Sequence, residues 1–314
     1  MSGARDVIAV VGATATGKTA LGEALASTLG GEIVCVDSRQ VFAELEIGTG
    51  KPSAAERAAN PHHLFDVRHV GERVSAGWYA LTCAAAREEI RTRGKLPVLV
   101  GGSGLWLKAA MKGLAEEPPV DPAIRAALAA DIAAVGSPAL HARLAERDPA
   151  TAARLHPNDA QRITRALEVF EASGRPLSSW HAGQSPPSSG ECWHVFELAV
   201  EANPLNRRIR ERAEWMFANG LLEETRALLT SERGDALRAL QAIGYDEAIA
   251  FLAGECSLTR AIKRTSLRTR QLAKRQRTWF RHQVAAIPLV SDPFDLETLV
   301  ATVLRRLQED RAGR

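Results

Sequence analysis

Hydrophobic residues in the first third of the chain come in short dense runs, separated by longer stretches with helical spacing. Val7-Ile8-Ala9-Val10-Val11, Glu32-Ile-Val-Cys-Val36 and Leu96-Pro-Val-Leu-Val100 are apolar at odd and even positions alike. Such runs fit strands covered on both faces. Between them, Ala20 to about Leu29 and Ala76 to Arg93 read as helices, the second ended by Gly94 and Pro97. Strand–helix alternation of this kind predicts an α/β fold with a parallel sheet.

The rhythm changes near Pro118. From there to Gly190 the pattern is helical, opening on Asp121-Pro122, an N-cap followed by a first-turn proline. It closes in a turn-rich connector, Gln184 to Gly190. Trp193 to Val200 alternates like a strand rejoining the sheet. Helices are expected near 204–219, 221–231, 245–253 and 257–283, then a short strand at 288–290 and a final helix near 295–310. No internal repeat is visible. The predicted organisation is a core of residues 1–117 and 191–314, interrupted by a helical insertion domain at 118–190.

The first strand runs directly into Gly12-Ala13-Thr14-Ala15-Thr16-Gly17-Lys18-Thr19. This is the full G-x-x-x-x-G-K-[ST] pattern in its strand–loop–helix setting. Glycines let the backbone curl so that several N–H groups face one polyphosphate, and the following helix adds its positive end. Lys18 supplies charge to the outer phosphates, and the Thr19 hydroxyl suits Mg2+. The core is therefore predicted to be a P-loop nucleotide fold, binding ATP, another nucleotide or a smaller diphosphate.

Composition changes this picture little. The 314 residues carry 40 Lys and Arg against 37 Asp and Glu, so any argument for a polyanionic partner must rest on where charge sits. Cys35, Cys83, Cys192 and Cys256 are far apart and read as reduced thiols of a cytoplasmic protein, with no disulfide framework and no zinc site. Cys35 falls in a strand pattern and is expected in the core. No secretory signal is expected at the N-terminus, nor any stretch of membrane-spanning length. Without an obvious self-association surface, the expected state is a monomer.

Four further segments bear on chemistry. Asp37-Ser38-Arg39-Gln40 follows the second strand at the sheet's carboxyl edge, where open α/β sheets bind ligands. Asp37 there could hold Mg2+, accept a substrate proton, or simply close a turn. Gly101-Gly-Ser103-Gly104 follows the third strand at the same edge and offers a hydroxyl. In Asn158 to Leu167, Ile163, Ala166 and Leu167 share one helix face while Gln161, Arg162 and Arg165 share another, a ligand surface or an ordinary solvated one. Finally, Thr259 to His282 holds many Lys and Arg and no acid, which implies a phosphate or RNA partner. Trp279 and Phe280 within it are more naturally core than base-stacking residues, and His62-His63 lacks a third ligand at metal spacing.

Together these segments resemble the bacterial tRNA dimethylallyltransferases (tRNA isopentenyltransferases). The family's G-P-T-A-x-G-K-T corresponds to Gly12–Thr19, and D-S-x-Q-V-Y and I-G-T-A-K-P to Asp37–Phe42 and Ile47–Pro52. P-H-H-L-x-D corresponds to Pro61–Asp66, G-G-T-G-L-Y to Gly101–Trp106, and N-D-x-x-R-x-x-R-A-L-E-V to Asn158–Val169. A-I-G-Y-x-E corresponds to Ala242–Glu247, and T-R-x-x-A-K-R-Q-x-T-W-F-R to Thr269–Arg281. The matches run in order along almost the whole chain.

The resemblance implies transfer of a dimethylallyl group from dimethylallyl diphosphate to N6 of adenosine 37 in tRNA, with Mg2+ at Thr19. It implies that Asp37 takes the proton and Ser103 orients the amine. Residues 12–19 would hold the diphosphate, with Arg212, and less firmly Arg208, as further ligands. Asp37–Gln40, Ser103, Arg125, Gln161, Arg162, Ile163, Thr164, Arg165, Gln241, Gly244 and Tyr245 would contact tRNA, the insertion gripping the anticodon stem. Ser103 stands where the family usually has threonine, and Phe42 and Trp106 replace tyrosines. Many relatives carry basic residues at the positions of Gln241 and Asp246. No counterpart of the eukaryotic C-terminal zinc finger is expected. Competing readings are a small-metabolite kinase, prenylation of free adenine nucleotides, and a non-catalytic RNA-binding module.

Overall fold

The computed structural model describes residues 5–113, 118–182 and 190–312. In chain order its elements are β1 (Arg5–Gly12), α1 (Lys18–Leu29), β2 (Gly31–Val36), α2 (Ala54–Ala59), β3 (His62–His63), α3 (Ala76–Thr92), β4 (Leu96–Gly101) and α4 (Gly104–Lys112). Then come α5 (Pro122–Arg147), α6 (Pro149–Ala152), α7 (Ala160–Ser173) and α8 (Leu177–Ala182). The chain continues through β5 (Glu191–Ala199), α9 (Ala202–Ala218), α10 (Leu221–Leu229), α11 (Gly234–Leu240), α12 (Tyr245–Leu252), α13 (Leu258–Gln283), β6 (Ile287–Val290) and α14 (Leu296–Ala312). The sequence pattern did not anticipate α2, β3, α4 or α11. All four are short, and their signals are weak next to those of long periodic segments.

The six strands form one sheet in the order β3-β2-β4-β1-β5-β6, every pair parallel. Alternation along β1 explains its unbroken apolar run. Val7, Ala9 and Val11 enter one core with α3, α4 and the later helices, whereas Ile8 and Val10 enter the other with α1 and α14. Both faces are covered, so both parities must be apolar.

The chain divides into two compact units, Met1–Lys112 with Ser188–Arg314, and Gly113–Pro187. The second is helical. Asp121 caps α5 by accepting the Ala123 N–H at 2.8 Å, ahead of Pro122 in the first turn. By length and composition α5 could cross a membrane, contrary to expectation. Gly136 breaks it, however, with φ 79° and ψ 165°, two residues before Pro138. Each half is shorter than the roughly 20 residues a span needs. Leu128, Leu140 and Leu144 of α5 pack with Ile163, Ala166 and Leu167 of α7 in this unit's own core. The connector expected at Gln184–Gly190 lies outside the described residues except Gly190.

Candidate active site

Two turns at the carboxyl edge of the sheet carry the chemistry. The first leaves β1 at Gly12 and winds into α1. Ala15 and Gly17 are left-handed, at φ 63° and 96°, which turns neighbouring N–H groups into one concavity suited to an anion. Gly17 has no room for a side chain, because the Phe294 ring occupies that space. Thr16 Oγ1 donates to the Ala13 carbonyl at 2.9 Å, and Lys18 Nζ reaches back to the same oxygen at 2.6 Å. Burial pushes the Lys18 pKa down to about 8; Asp37 pulls it up, and Arg212 pushes it further down. A partly desolvated cation in that condition gains from an arriving anion.

The second is a pair of touching segments that leave β2 and β4, which are hydrogen-bonded neighbours. Ser103 N–H donates to Val36 O at 3.0 Å, and Ser38 N–H donates to Ser103 Oγ at 3.0 Å. Asp37 Oδ1 accepts the Arg39 N–H at 2.8 Å, closing an Asx turn. These bonds hold Asp37 and Ser103 side by side although 65 residues separate Ser38 from Ser103. The turn-aspartate reading of Asp37 is thus realised through Oδ1, while the residue also lines the cavity.

Residues remote in sequence complete the site. Arg212 of α9 donates to Thr49 O at 2.9 Å; burial lowers its pKa, against the pull of Asp37. Gln40 Nε2 donates to Thr49 O and Gly50 O at 3.2 and 3.1 Å, so its amide already serves the protein. Gln276 of α13 was not singled out in the sequence, although it falls inside the last basic motif. Its Oε1 accepts the Thr14 N–H at 2.9 Å and its Nε2 donates to Gly102 O at 3.0 Å. One side chain thereby clamps the phosphate loop to the turn after β4.

Two cavities meet at these residues. A small one of about 60 Å³ is lined by Lys18, Thr19 and Asp37. A larger one of about 540 Å³ is lined by Asp37, Ser103, Arg212 and a face of α13 including Arg268 and Arg275. Thr19 and Asp37 both line the small cavity and bring a hydroxyl and a carboxylate to it. Hard oxygen donors beside a phosphate loop fit Mg2+.

Several sequence expectations need correction. Tyr245 and Gly244 are buried, and the Tyr245 hydroxyl donates to Glu224. The Gly244 N–H is taken by Glu247 Oε2 at 2.8 Å. The Gly244 N–H is thus already used within the protein, whereas Tyr245 also lines the larger cavity. Ile163 is likewise fully buried, in the core of the insertion, so its side chain is structural. Arg208 points away from the site, donating to Ser291 O at 3.2 Å. Arg39 donates to Leu240 O at 3.2 Å, and burial lowers its pKa despite Asp37 and Asp246. Gln241 is exposed with φ 51° and lines the larger cavity.

The acid-free character of Thr259–His282 is partly cancelled from outside. Arg268 pairs with Asp246 and Glu247 at 2.7 Å each, and Arg281 and Arg277 face Glu197. Lys263, Arg264, Arg270, Lys274 and Arg275 remain exposed. Phe280 is core, and Trp279 packs edge-on against it and covers Gly104. Phe42 and Trp106 are also buried, the latter stacked on Tyr79 at 4.5 Å.

In the insertion, Arg162 is largely exposed, 3.5 Å from Asp159, and Gln161 is exposed beside it. Thr164 is half-buried. Arg165 and Arg125 converge on Glu168, at 2.9 and 3.5 Å.

A phosphate loop, an acid and a hydroxyl open onto the same pair of cavities at the strand ends, the arrangement of a phosphate-loop enzyme that works on a phosphorylated ligand. Comparison with known proteins narrows this class. The IPP transferase family model matches residues 40–283, and the chain belongs to that family. It is 44% identical over 297 residues to a tRNA dimethylallyltransferase of Anaeromyxobacter sp. (strain Fw109-5), covering 95% of this chain and 98% of the relative. The full-length tRNA isopentenylpyrophosphate transferase of Bacillus halodurans superposes with a TM-score of 0.70 at 32% identity, covering 98% of both chains. A eukaryotic dimethylallyltransferase, solved acting on tRNA, superposes with a TM-score of 0.81 at 25% identity, covering 98% of this chain and 80% of that one.

Proposed function

We propose that this protein transfers a dimethylallyl group from dimethylallyl diphosphate to N6 of adenosine 37 in tRNA, releasing diphosphate. One observation carries the reading: Lys18 of the phosphate loop and Asp37 line one cavity, and Asp37 also lines the adjoining larger cavity with Arg268 and Arg275 of α13.

The allylic carbon–oxygen bond breaks as the carbon–nitrogen bond forms, so negative charge builds on the departing diphosphate. The amides of residues 12–19, with Lys18 and Arg212, stabilise that charge. Mg2+, held by Thr19, would add further neutralisation of the diphosphate.

Adenine N6 is a weak nucleophile, and a carboxylate is far too weak a base to ionise it beforehand. Asp37 takes the N6 proton as the new bond forms and the nitrogen becomes acidic. Ser103 Oγ, with one lone pair engaged by Ser38, keeps another to accept an N6–H and orient the amine. The base reaches the site flipped from its stack, at a cost of a few kcal/mol that is least in a single-stranded loop. Asp37–Gln40 and Gln241 border the entering nucleotide, and Arg125, Gln161, Arg162, Thr164 and Arg165 serve the tRNA from the insertion. The protein acts as a cytoplasmic monomer.

Purified protein with Mg2+ should move radiolabel from dimethylallyl diphosphate to unmodified tRNA bearing adenosine 37. Turnover of ATP with the tRNA left unlabelled would make the protein a kinase instead.

A further inference from the structure

The opposite end of the sheet gathers a second set of chemically active side chains. Asp6 of β1 pairs in register with Cys192 of β5, and Ile8 with His194. Because strand side chains alternate, Asp6, Cys192 and His194 share one face. That face is covered by α14, through Leu299, Val303 and Leu307. The last turns of α14 then bring Asp310 and Arg311 over the same spot.

His194 is buried between carboxylates: Nε2 lies 3.1 Å from Asp6 Oδ1, and Nδ1 lies 3.0 Å from Asp310 Oδ2. Asp6 Oδ2 accepts from Arg311 at 3.1 Å. One ligand atom each from Asp6, Cys192 and His194 lies within 4.8 Å of the others.

We propose that these three side chains form a structural zinc site, with Asp6 Oδ1, Cys192 Sγ and His194 Nε2 as protein ligands and water in the fourth position. Zinc bonds of about 2.0–2.1 Å to nitrogen and oxygen at a tetrahedral angle set those ligand atoms a little over 3 Å apart, close to the 3.1 Å already present. The mixed nitrogen, oxygen and sulfur donor set favours zinc over Mg2+ or Ca2+.

Asp310 completes the design by accepting the His194 Nδ1–H, which presents Nε2 to the metal. Asp6, a Cys192 thiolate and Asp310 together balance the metal's two charges and Arg311. Metal ligation requires a Cys192 thiolate and the lone pair of His194 Nε2, so binding competes with protons. Six residues of strand separate Asp6 from Gly12, about 20 Å. The metal therefore joins β1 to β5 at the end of the sheet remote from the cavities and takes no part in transfer. The ligands lie 186 residues apart in sequence, from 6 to 192, which is why the sequence pattern predicted no zinc site.

The test uses the full chain, stripped with chelator and titrated with Co2+. About one equivalent should produce a thiolate-to-cobalt charge-transfer band that Zn2+ then abolishes. Cys192→Ser should lose the band, and Cys256→Ser should keep it. Zn2+ should raise the melting midpoint of the wild-type protein and leave that of Cys192→Ser unmoved. Absence of the band in the wild type, or its survival in Cys192→Ser, overturns the proposal.

Discussion

Basic side chains at two places in this molecule have different surroundings. At the carboxyl edge of the sheet, Arg212 and Lys18 are half-buried around one carboxylate, Asp37, and desolvation lowers both pKa values. On α7 and α5, Arg162, Arg165 and Arg125 each have a carboxylate within reach and access to solvent. Two desolvated cations around one acid leave an excess of positive charge that only a ligand can offset. Solvated, locally paired cations are nearly neutral in free energy, about 0–1 kcal/mol per pair. The first region is built to bind an anion strongly at one point; the second can only add diffuse attraction along a polyanion.

The largest effect should come from the acid at the centre of the first region. Asp37→Ala should lower single-turnover transfer by about 10²–10⁴-fold, with tRNA affinity in filter binding little changed. A large affinity loss with substantial residual rate would reassign Asp37 to RNA contact. Next is the response to pH. The free-enzyme Lys18 titrates at about 8, and the bound anion favours its charged form. Affinity for prenyl diphosphate should therefore be full below that pH and fall above it, by about tenfold at pH 9, with proton uptake on binding. Calorimetry across pH 7–9 checks this, and Lys18→Gln should remove the dependence. The smallest effect belongs to the second region. Arg162→Ala should weaken tRNA binding uniformly and reduce the salt slope by about one. An unchanged slope would make that face of α7 an ordinary solvated surface.

Legibility of the site followed the distance between its parts. The phosphate loop is contiguous, and its anion-binding property comes from the backbone of eight successive residues. Asp37 and Ser103 could each be placed at a strand's carboxyl end, but their contact depended on β2 and β4 being neighbours. Gln276 gave no sign of its clamp, because its partners lie 262 and 174 residues away. Burial misled in the other direction. Ile163, Gly244 and Tyr245 sit inside motifs that resemble RNA-contacting segments, and the motif does not say which side of a helix faces inward. The acid-free stretch of α13 likewise could not reveal that Asp246, Glu247 and Glu197 approach it from other elements.

By itself, the amino-acid sequence determined what short-range sterics and hydrophobic periodicity control: the strands other than β3, the major helices, the curled loop and the change of rhythm at the insertion. Tertiary structure alone decided which charges are desolvated, which polar groups are already spent on the protein, and which distant side chains share a face. Those outcomes depend on burial and strand order, which are set by every neighbour at once and so are written in no single segment.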